Sequence, residues 1–210
     1  MWTALAIAVV FLILVFAEYL SRYKGVHTEL TRKIVHILVG VFVAFWPFFL
    51  SWGTIQGISL AFLAVVLLSI KLNVFAAIHA VSRNKIGEVL FAVVIGLLAF
   101  ITTTKWVFTA AMLHLSLADG LAAIVGLGWA QEHNSYRIMG RTKSIPGSLA
   151  FFFTSAFIML CYAAFSGAKY DGTTLVGLPV AATIAENIAG EGVDNIAVPL
   201  LVALVLTSSL

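Results

Sequence analysis

Five short clusters of ionisable, hydroxyl and small residues interrupt a chain that is otherwise almost wholly apolar. The first, Glu29, Arg32, Lys33, His36 and Gly40, is spaced mainly by threes and fours, which on a helix makes one stripe. The second is Asn84, Gly87 and Glu88. The third centres on Asp119, which follows thirteen mostly apolar residues from Trp106, about 20 Å of helix at 1.5 Å per residue. After it come Gly120, Ala122, Ala123, Gly126 and Gly128, a small-residue face that a helix or a phosphate could approach closely. An ionisable group at that depth costs several kcal/mol unless it is paired or solvated, so Asp119 reads as a metal or ion ligand before it reads as the cap of a broken helix. His114, deeper in the same run, reads as a satisfied packing histidine.

The fourth cluster, Arg141, Thr142, Lys143, Ser144, Pro146, Gly147 and Ser148, offers an anion backbone N–H groups at a helix start together with lysine charge. It is not a Walker loop, because no glycine-rich turn ends in Gly-Lys-Ser/Thr after a strand. The last, Glu186, Asn187, Gly190, Glu191, Gly192, Asp194 and Asn195, supplies the hard oxygen ligands that Mg²⁺ takes, and magnesium can carry nucleotide phosphates. Each cluster also has a plain structural reading as a basic patch that sets orientation, an acid at a helix N-terminus, or an acidic hairpin capping two helices.

The elements that must position these groups follow from composition. Hydrophobic residues make up 62% of the 210 and charged ones 10%, with mean hydropathy +1.09, against roughly 45–50% and about 25% in a soluble domain. A soluble globular protein is excluded. Apolar runs at 1–17, 34–50, 54–70, 89–101, 106–129, 147–165, 173–185 and 196–210 predict an all-α, polytopic transmembrane bundle of seven or eight helices, with the fourth and seventh runs short. Residues 1–210 read as a single integral membrane domain, and the first run, which lacks a basic n-region and a cleavage site, as a retained helix. Cys161 stands alone and can form no intrachain disulfide.

Ten basic residues, Arg22, Lys24, Arg32, Lys33, Lys71, Arg83, Lys85, Arg137, Arg141 and Lys143, fall on one side of this topology, and Lys105 and Lys169 on the other. The ten-residue side is expected in the cytoplasm. The net charge of +3 bears on that orientation, not on nucleic acid.

In this order the motifs resemble the polyprenol kinase family, which groups phytol kinases, dolichol kinases and the CTP-dependent diacylglycerol kinase, and more remotely the phosphatidate cytidylyltransferases. The matching pieces are Arg32-Lys33-x-x-His36 with Gly40 and Pro47, Gly87-Glu88, Asp119-Gly120-x-Ala122 with Gly126, Lys143-Ser144-x-x-Gly147-Ser148, and Glu186 with Asp194-Asn195-x-x-Val198-Pro199-Leu200. The last looks most like the phytol kinase branch. After Gly126 the family pattern continues with a basic residue and a Gly-Lys element, whereas this chain reads Leu127-Gly128-Trp129-Ala130.

The resemblance implies transfer of the γ-phosphate of CTP, or another nucleoside triphosphate, to a prenyl alcohol such as phytol, geranylgeraniol or dolichol held in the bilayer. Mg²⁺ would sit on Asp119, Glu186 and Asp194. Catalysis would fall to His36, Asp119 and Lys143, with His36 or one of the acids orienting or deprotonating the alcohol. Nucleotide and substrate contacts would come from Arg32, Lys33, Glu88, Gly120, Gly126, Arg141, Ser144, Gly147 and Asn195. A homo-oligomer is left open. Two rivals use the same residues: a cytidylyltransferase attacking the α-phosphorus, and an ion-coupled transporter using Asp119, His114 and Glu186 as a path. The cytidylyltransferase pattern fits less well, since Lys143 precedes Ser144 and the later His-Gly-Gly and Asp-Arg-x-Asp elements are missing. The one-sided placement of the acids disfavours the transporter.

The topology predicts Lys143, Glu88 and Glu191 on the cytoplasmic side and Asp171 opposite. Cysteine-accessibility labelling, with Cys161 first replaced, is expected to report this; Lys143 and Asp171 on one side would overturn the eight-helix count and the shared site.

Overall fold

The computed structural model describes residues 1–24, 28–72, 85–168, 171–190 and 192–208; Arg83, Asn84, Lys169 and Glu191 of the sequence argument lie outside them. Among the described residues each apolar run is a helix: α1 (Trp2–Lys24), α2 (Thr28–Ala44), α3 (Trp52–Leu72), α4 (Lys85–Ile101), α5 (Lys105–Trp129), α6 (Ile145–Ser166), α7 (Gly172–Ile188) and α8 (Asp194–Ser208). Five of the eight, α1, α2, α3, α5 and α6, are long and apolar enough to cross a membrane. The 17 residues of α4 and the 15 of α8 span about 25 and 22 Å, less than the roughly 30 Å of a hydrocarbon core. The 17 residues of α7 are equally short and contain Pro179, whose missing N–H and fixed φ loosen the helix there. This is an integral membrane protein built as a helical bundle.

Burial is distributed as a bilayer demands. Phe11, Phe16, Leu60, Leu68, Phe100, Phe153, Phe157 and Leu204 point outward, where lipid makes apolar exposure free of cost. Half of α5 is buried inside the protein, against 11% of α1 and α3. So α5 is the axis of the bundle, packed on α2, α6 and α8, while α1 leans on α2, and α3 on α4. Aromatics mark one end: Trp2 meets Phe49, Phe48 meets Trp106, and Trp106 stacks on Phe165, joining the starts of α1 and α5 to the turn after α2 and the end of α6. Such a belt suits an interface. The clusters of polar residues all lie toward the other end.

Two features depart from a plain bundle. Residues between α5 and α6, read from the sequence as a loop, form an antiparallel hairpin of β1 (Ser135–Ile138) and β2 (Arg141–Ser144). Its two-residue turn, Met139 and Gly140, has φ of 48° and 78°, the left-handed pair that matches strand twist in a type I′ turn. The second departure is in α5, where His114–Ala118 is a π turn between two α-helical halves. The Asp119 amide bonds the carbonyl of His114, five residues back. That releases the carbonyl of Leu115, its ordinary partner, to accept from His36 Nε2 at 2.8 Å. The extra residue turns everything beyond it by about 100°, and so resets the direction in which Asp119 faces.

The small residues after Asp119 divide between two neighbours. A Cβ on Gly120 would collide with the Ile37 side chain of α2, and one on Gly126 would stand 3.3 Å from Ser144 Oγ at the start of α6, whereas Gly128 has nothing within 4 Å. Gly120→Ala is therefore expected to destabilise the protein by about 1–3 kcal/mol through overpacking. Gly128→Ala should be neutral or stabilising by up to about 1 kcal/mol. Thermal denaturation of the two variants in detergent checks the contrast, and equal midpoints would show that α2 and α5 do not depend on this contact.

Candidate active site

Three carboxylates from three helices meet where α5, α7 and α8 converge. Asp119, Glu186 and Asp194 each bring an oxygen within 4.8 Å of the others. The π turn aims Asp119. Glu186 lies in the last turn of α7, buried, and Asp194 opens α8. Two lysines arrive from elsewhere to offset the charge: Lys33 Nζ of α2 donates to Asp119 Oδ2 at 2.8 Å, and Lys143 of β2 is paired with Glu186 Oε1 and donates to the Glu186 carbonyl at 3.2 Å. Three acids against two ammonium groups leave one net negative charge. Such an oxygen-rich group with charge to spare is the donor set a hard divalent cation takes.

A polar cleft of about 730 Å³ opens over these groups, lined also by Ala122, Gly126, Arg137, Arg141 and Gly147. The hairpin forms one side of it. Tyr136 holds that hairpin in place, its hydroxyl bonded to Ser148 Oγ of α6 and donating to Asn187 Oδ1 of α7 at 2.6 Å. Tyr136 was not among the residues singled out by sequence reasoning. The signal for it was slight, the glycine of Met139-Gly140 between two short, mainly polar stretches, which is too little to mark a hairpin.

The remaining sequence candidates fall in different places. Arg141 lies against Gly190, where a Cβ would come 3.3 Å from its Cζ. Ser144 caps α6, its hydroxyl accepting from the Gly147 N–H at 3.2 Å, and Gly147 touches Ala122 and Gly126 of α5. Gly120, expected near nucleotide, instead packs against α2 and is no part of the cleft wall. Glu88 and Asn195 are also absent from that wall. Asn195 Nδ2 donates to the Gly87 carbonyl at 2.8 Å, and Gly192, at φ 86°, presses its backbone onto Gly87, so this pair clasps α8 to α4. His114 is fully buried with both ring nitrogens engaged, by the Ala110 carbonyl and Ser155 Oγ, each at 2.8 Å, as its packing role requires.

A second cavity, apolar and about 100 Å³, lies on the far side of α2 among α1, α3, α4 and α8. Val39, Phe62, Val66 and Phe91 line it, with Arg32, His36 and Glu88 also on its wall. The two spaces share a boundary. Arg32 lines both, its fork held by Glu29 at 2.6 and 3.0 Å, and His36 of the apolar cavity lies 3.4 Å from Asp119 Oδ2 of the cleft. Because His36 Nε2 must donate to the Leu115 carbonyl, only Nδ1 can accept a proton.

A phytol kinase of Synechocystis sp. is 33% identical over an alignment of 219 positions that covers 98% of this chain and 91% of that protein. The chain belongs to the polyprenol kinase family. A probable chloroplastic phytol kinase 2 of Oryza sativa subsp. japonica is 28% identical over 224 positions, covering 94% of this chain and 71% of the relative. No family model matches the chain, and no solved structure matches it. The family motifs are now seen to converge on two adjoining spaces rather than one: the Asp119, Lys143 and Glu186 pieces on the cleft, and the Gly87-Glu88 piece on the apolar cavity.

The lysine pairing carries a thermodynamic expectation. Lys33 and Asp119 side chains are each 12% exposed, so Lys33→Met strands a carboxylate beside two others and should destabilise by about 3 kcal/mol. Lys33→Met combined with Asp119→Asn should recover at least about 1 kcal/mol of that loss. Denaturation of the two single variants and the double variant tests the pair, and strict additivity would show that the ion pair contributes nothing.

Proposed function

We propose that the protein is a lipid kinase that moves the γ-phosphoryl group of a nucleoside triphosphate, CTP before others, onto a membrane prenyl alcohol such as phytol, geranylgeraniol or dolichol, at a site facing the cytoplasm. The observation that carries the reading is the acid trio with its two lysines, set in a polar cleft whose wall is also the wall of an apolar cavity. The relatives act, by name, on phytol.

Phosphoryl transfer asks a protein chiefly for positioning and for neutralising charge on the phosphate oxygens. Asp119, Glu186 and Asp194 would hold Mg²⁺, which when bound would supply positive charge to offset that of the phosphate oxygens. Lys143 and Lys33, each within reach of the cleft, turn their ammonium groups from carboxylate to phosphate oxygen when nucleotide enters. Arg141 and Arg137 line the same cleft and hold the outer phosphates. The alcohol reaches the shared wall from the apolar side, where His36 and Glu88 stand to orient it and receive its proton. The alcohol oxygen bonds to the γ-phosphorus as the bond to the bridging oxygen breaks, and nucleoside diphosphate leaves. The basic residues gathered at this end of the helices support a cytoplasmic cleft.

Purified protein offered CTP, UTP, ATP and GTP with prenyl alcohols, diacylglycerol and phosphatidate, with products read by mass, tests the reading. CDP and a prenyl phosphate are expected; pyrophosphate with a CDP-lipid would establish the cytidylyltransferase instead. Within the kinase reading, Asp119→Asn should lower turnover by at least about 100-fold, near 3 kcal/mol of barrier. Lys143→Gln should lose most turnover and Lys143→Arg much of it, because a planar fork does not replace a compact ammonium. Arg141→Gln should raise the nucleotide KM more than it lowers kcat. Full turnover in Lys143→Gln, with insertion verified, would move the phosphate contact to Lys33.

A further inference from the structure

The apolar cavity is too small for the substrate that the proposed function calls for. An apolar cavity of roughly 150 Å³ takes up one benzene ring, so about 100 Å³ admits a single five-carbon isoprene unit and not a twenty-carbon tail.

The polar groups are all at the cleft end. Arg32 and His36 come from the first turns of α2, Glu88 from the first turn of α4, and Asn195 from the start of α8. Phe62, Phe91, Val39 and Val66 line it farther from the cleft. At the rim, Val65 of α3 is half exposed and Leu14 of α1 lies opposite, and these two helices are mainly lipid-facing. Arg32, His36 and Asn195 are engaged by Glu29 and by the Leu115 and Gly87 carbonyls, and a carboxylate has lone pairs enough to accept a further hydrogen bond, so Glu88 on this wall can take one from a hydroxyl at the head of a hydrocarbon.

We propose that this cavity seats only the hydroxyl-bearing isoprene unit of the alcohol, with Glu88 accepting the hydroxyl hydrogen bond, while the rest of the tail stays in the bilayer between α1 and α3. The assignment rests on the lipid-kinase reading. In the transfer step the hydroxyl proton passes to the Glu88 carboxylate as the oxygen bonds to phosphorus. Units beyond the first are in hydrocarbon before and after binding and contribute no difference in free energy, since lipid tails are as apolar as leucine. The protein therefore selects the branched head of the alcohol and is indifferent to its length.

Farnesol, geranylgeraniol and a long polyprenol, at equal mole fraction in phosphatidylcholine vesicles, should share one kcat/KM within about threefold, while hexadecanol, which lacks the methyl branch in the first unit, should fall at least about tenfold. Val66→Trp fills the cavity and should lower kcat/KM for every prenol at least about tenfold, with the nucleotide KM unchanged, which also shows that the variant folds. Glu88→Gln should lower kcat by at least about 100-fold with the prenol KM held. A steep rise of kcat/KM with chain length, or full activity in Val66→Trp, overturns the seat alone; full activity in Glu88→Gln overturns its role. A wild-type protein that phosphorylates none of these alcohols overturns the kinase reading and the seat with it.

Discussion

Three carboxylates held within 4.8 Å of one another at the end of a membrane bundle set the terms for the rest of the structure. At an effective dielectric of about 20, two unit charges 4–5 Å apart repel by about 3–4 kcal/mol. The folded state tolerates that only because Lys33 and Lys143 are delivered from helices and strands far away in sequence. Each lysine does so across an element boundary: Lys33 ties α2 to α5, and Lys143 ties the hairpin to α7. The same pairs that make the acids bearable thus lock the cleft together.

Holding charges at such close quarters needs close backbones. Gly120 lets α2 approach α5 so that Lys33 and His36 reach Asp119, and Gly126 against Gly147 lets α6 approach on the other side. The π turn is the third device. A regular helix through 114–118 would leave the Leu115 carbonyl bonded within α5 and point the Asp119 side chain elsewhere. With the turn, one carbonyl is freed, one histidine is oriented by it, and one carboxylate is aimed. The hairpin completes the wall, pinned by Tyr136 to Ser148 and Asn187 so that Lys143 is held from both sides.

Much of this was legible before any coordinates. The eight runs, the short fourth and seventh among them, and the single polar end follow from hydropathy and basic-residue counts, because the bilayer imposes one rule on every lipid-facing position. Asp119 stood out since no lipid-facing helix retains an acid so deep without cause. The hairpin did not stand out: eight strand residues in a polar connection carry no hydrophobic alternation, and the positive φ of Met139 contradicts its side-chain type. The π turn has no composition at all to announce it. Gly120, Glu88 and Asn195 were grouped with the other substrate and nucleotide contacts, with no division between the two spaces, because spacing along a chain cannot tell which side of α2 a residue will face. Gly87 shows the same limit: beside Glu88 it looks like part of a site, yet it is flattened against Gly192 so that α8 can pack on α4.

For the proposed transfer, the arrangement of the two spaces resolves a difficulty inherent in bringing a nucleotide to a lipid. One reactant is a polyanion that must remain in water, the other a hydrocarbon alcohol that must remain in the bilayer, and their reacting atoms must come to about 3–3.5 Å. A single mixed pocket would strand one of them in the wrong solvent. Here the division is one side chain thick: Arg32 borders both spaces, and His36 on the apolar side stands 3.4 Å from Asp119 on the polar side. Each reactant can stay in its own phase until the last few ångströms. In the proposed transfer the apolar lining around the alcohol would also keep bulk water from the attacking oxygen, favouring the alcohol over hydroxide as the nucleophile.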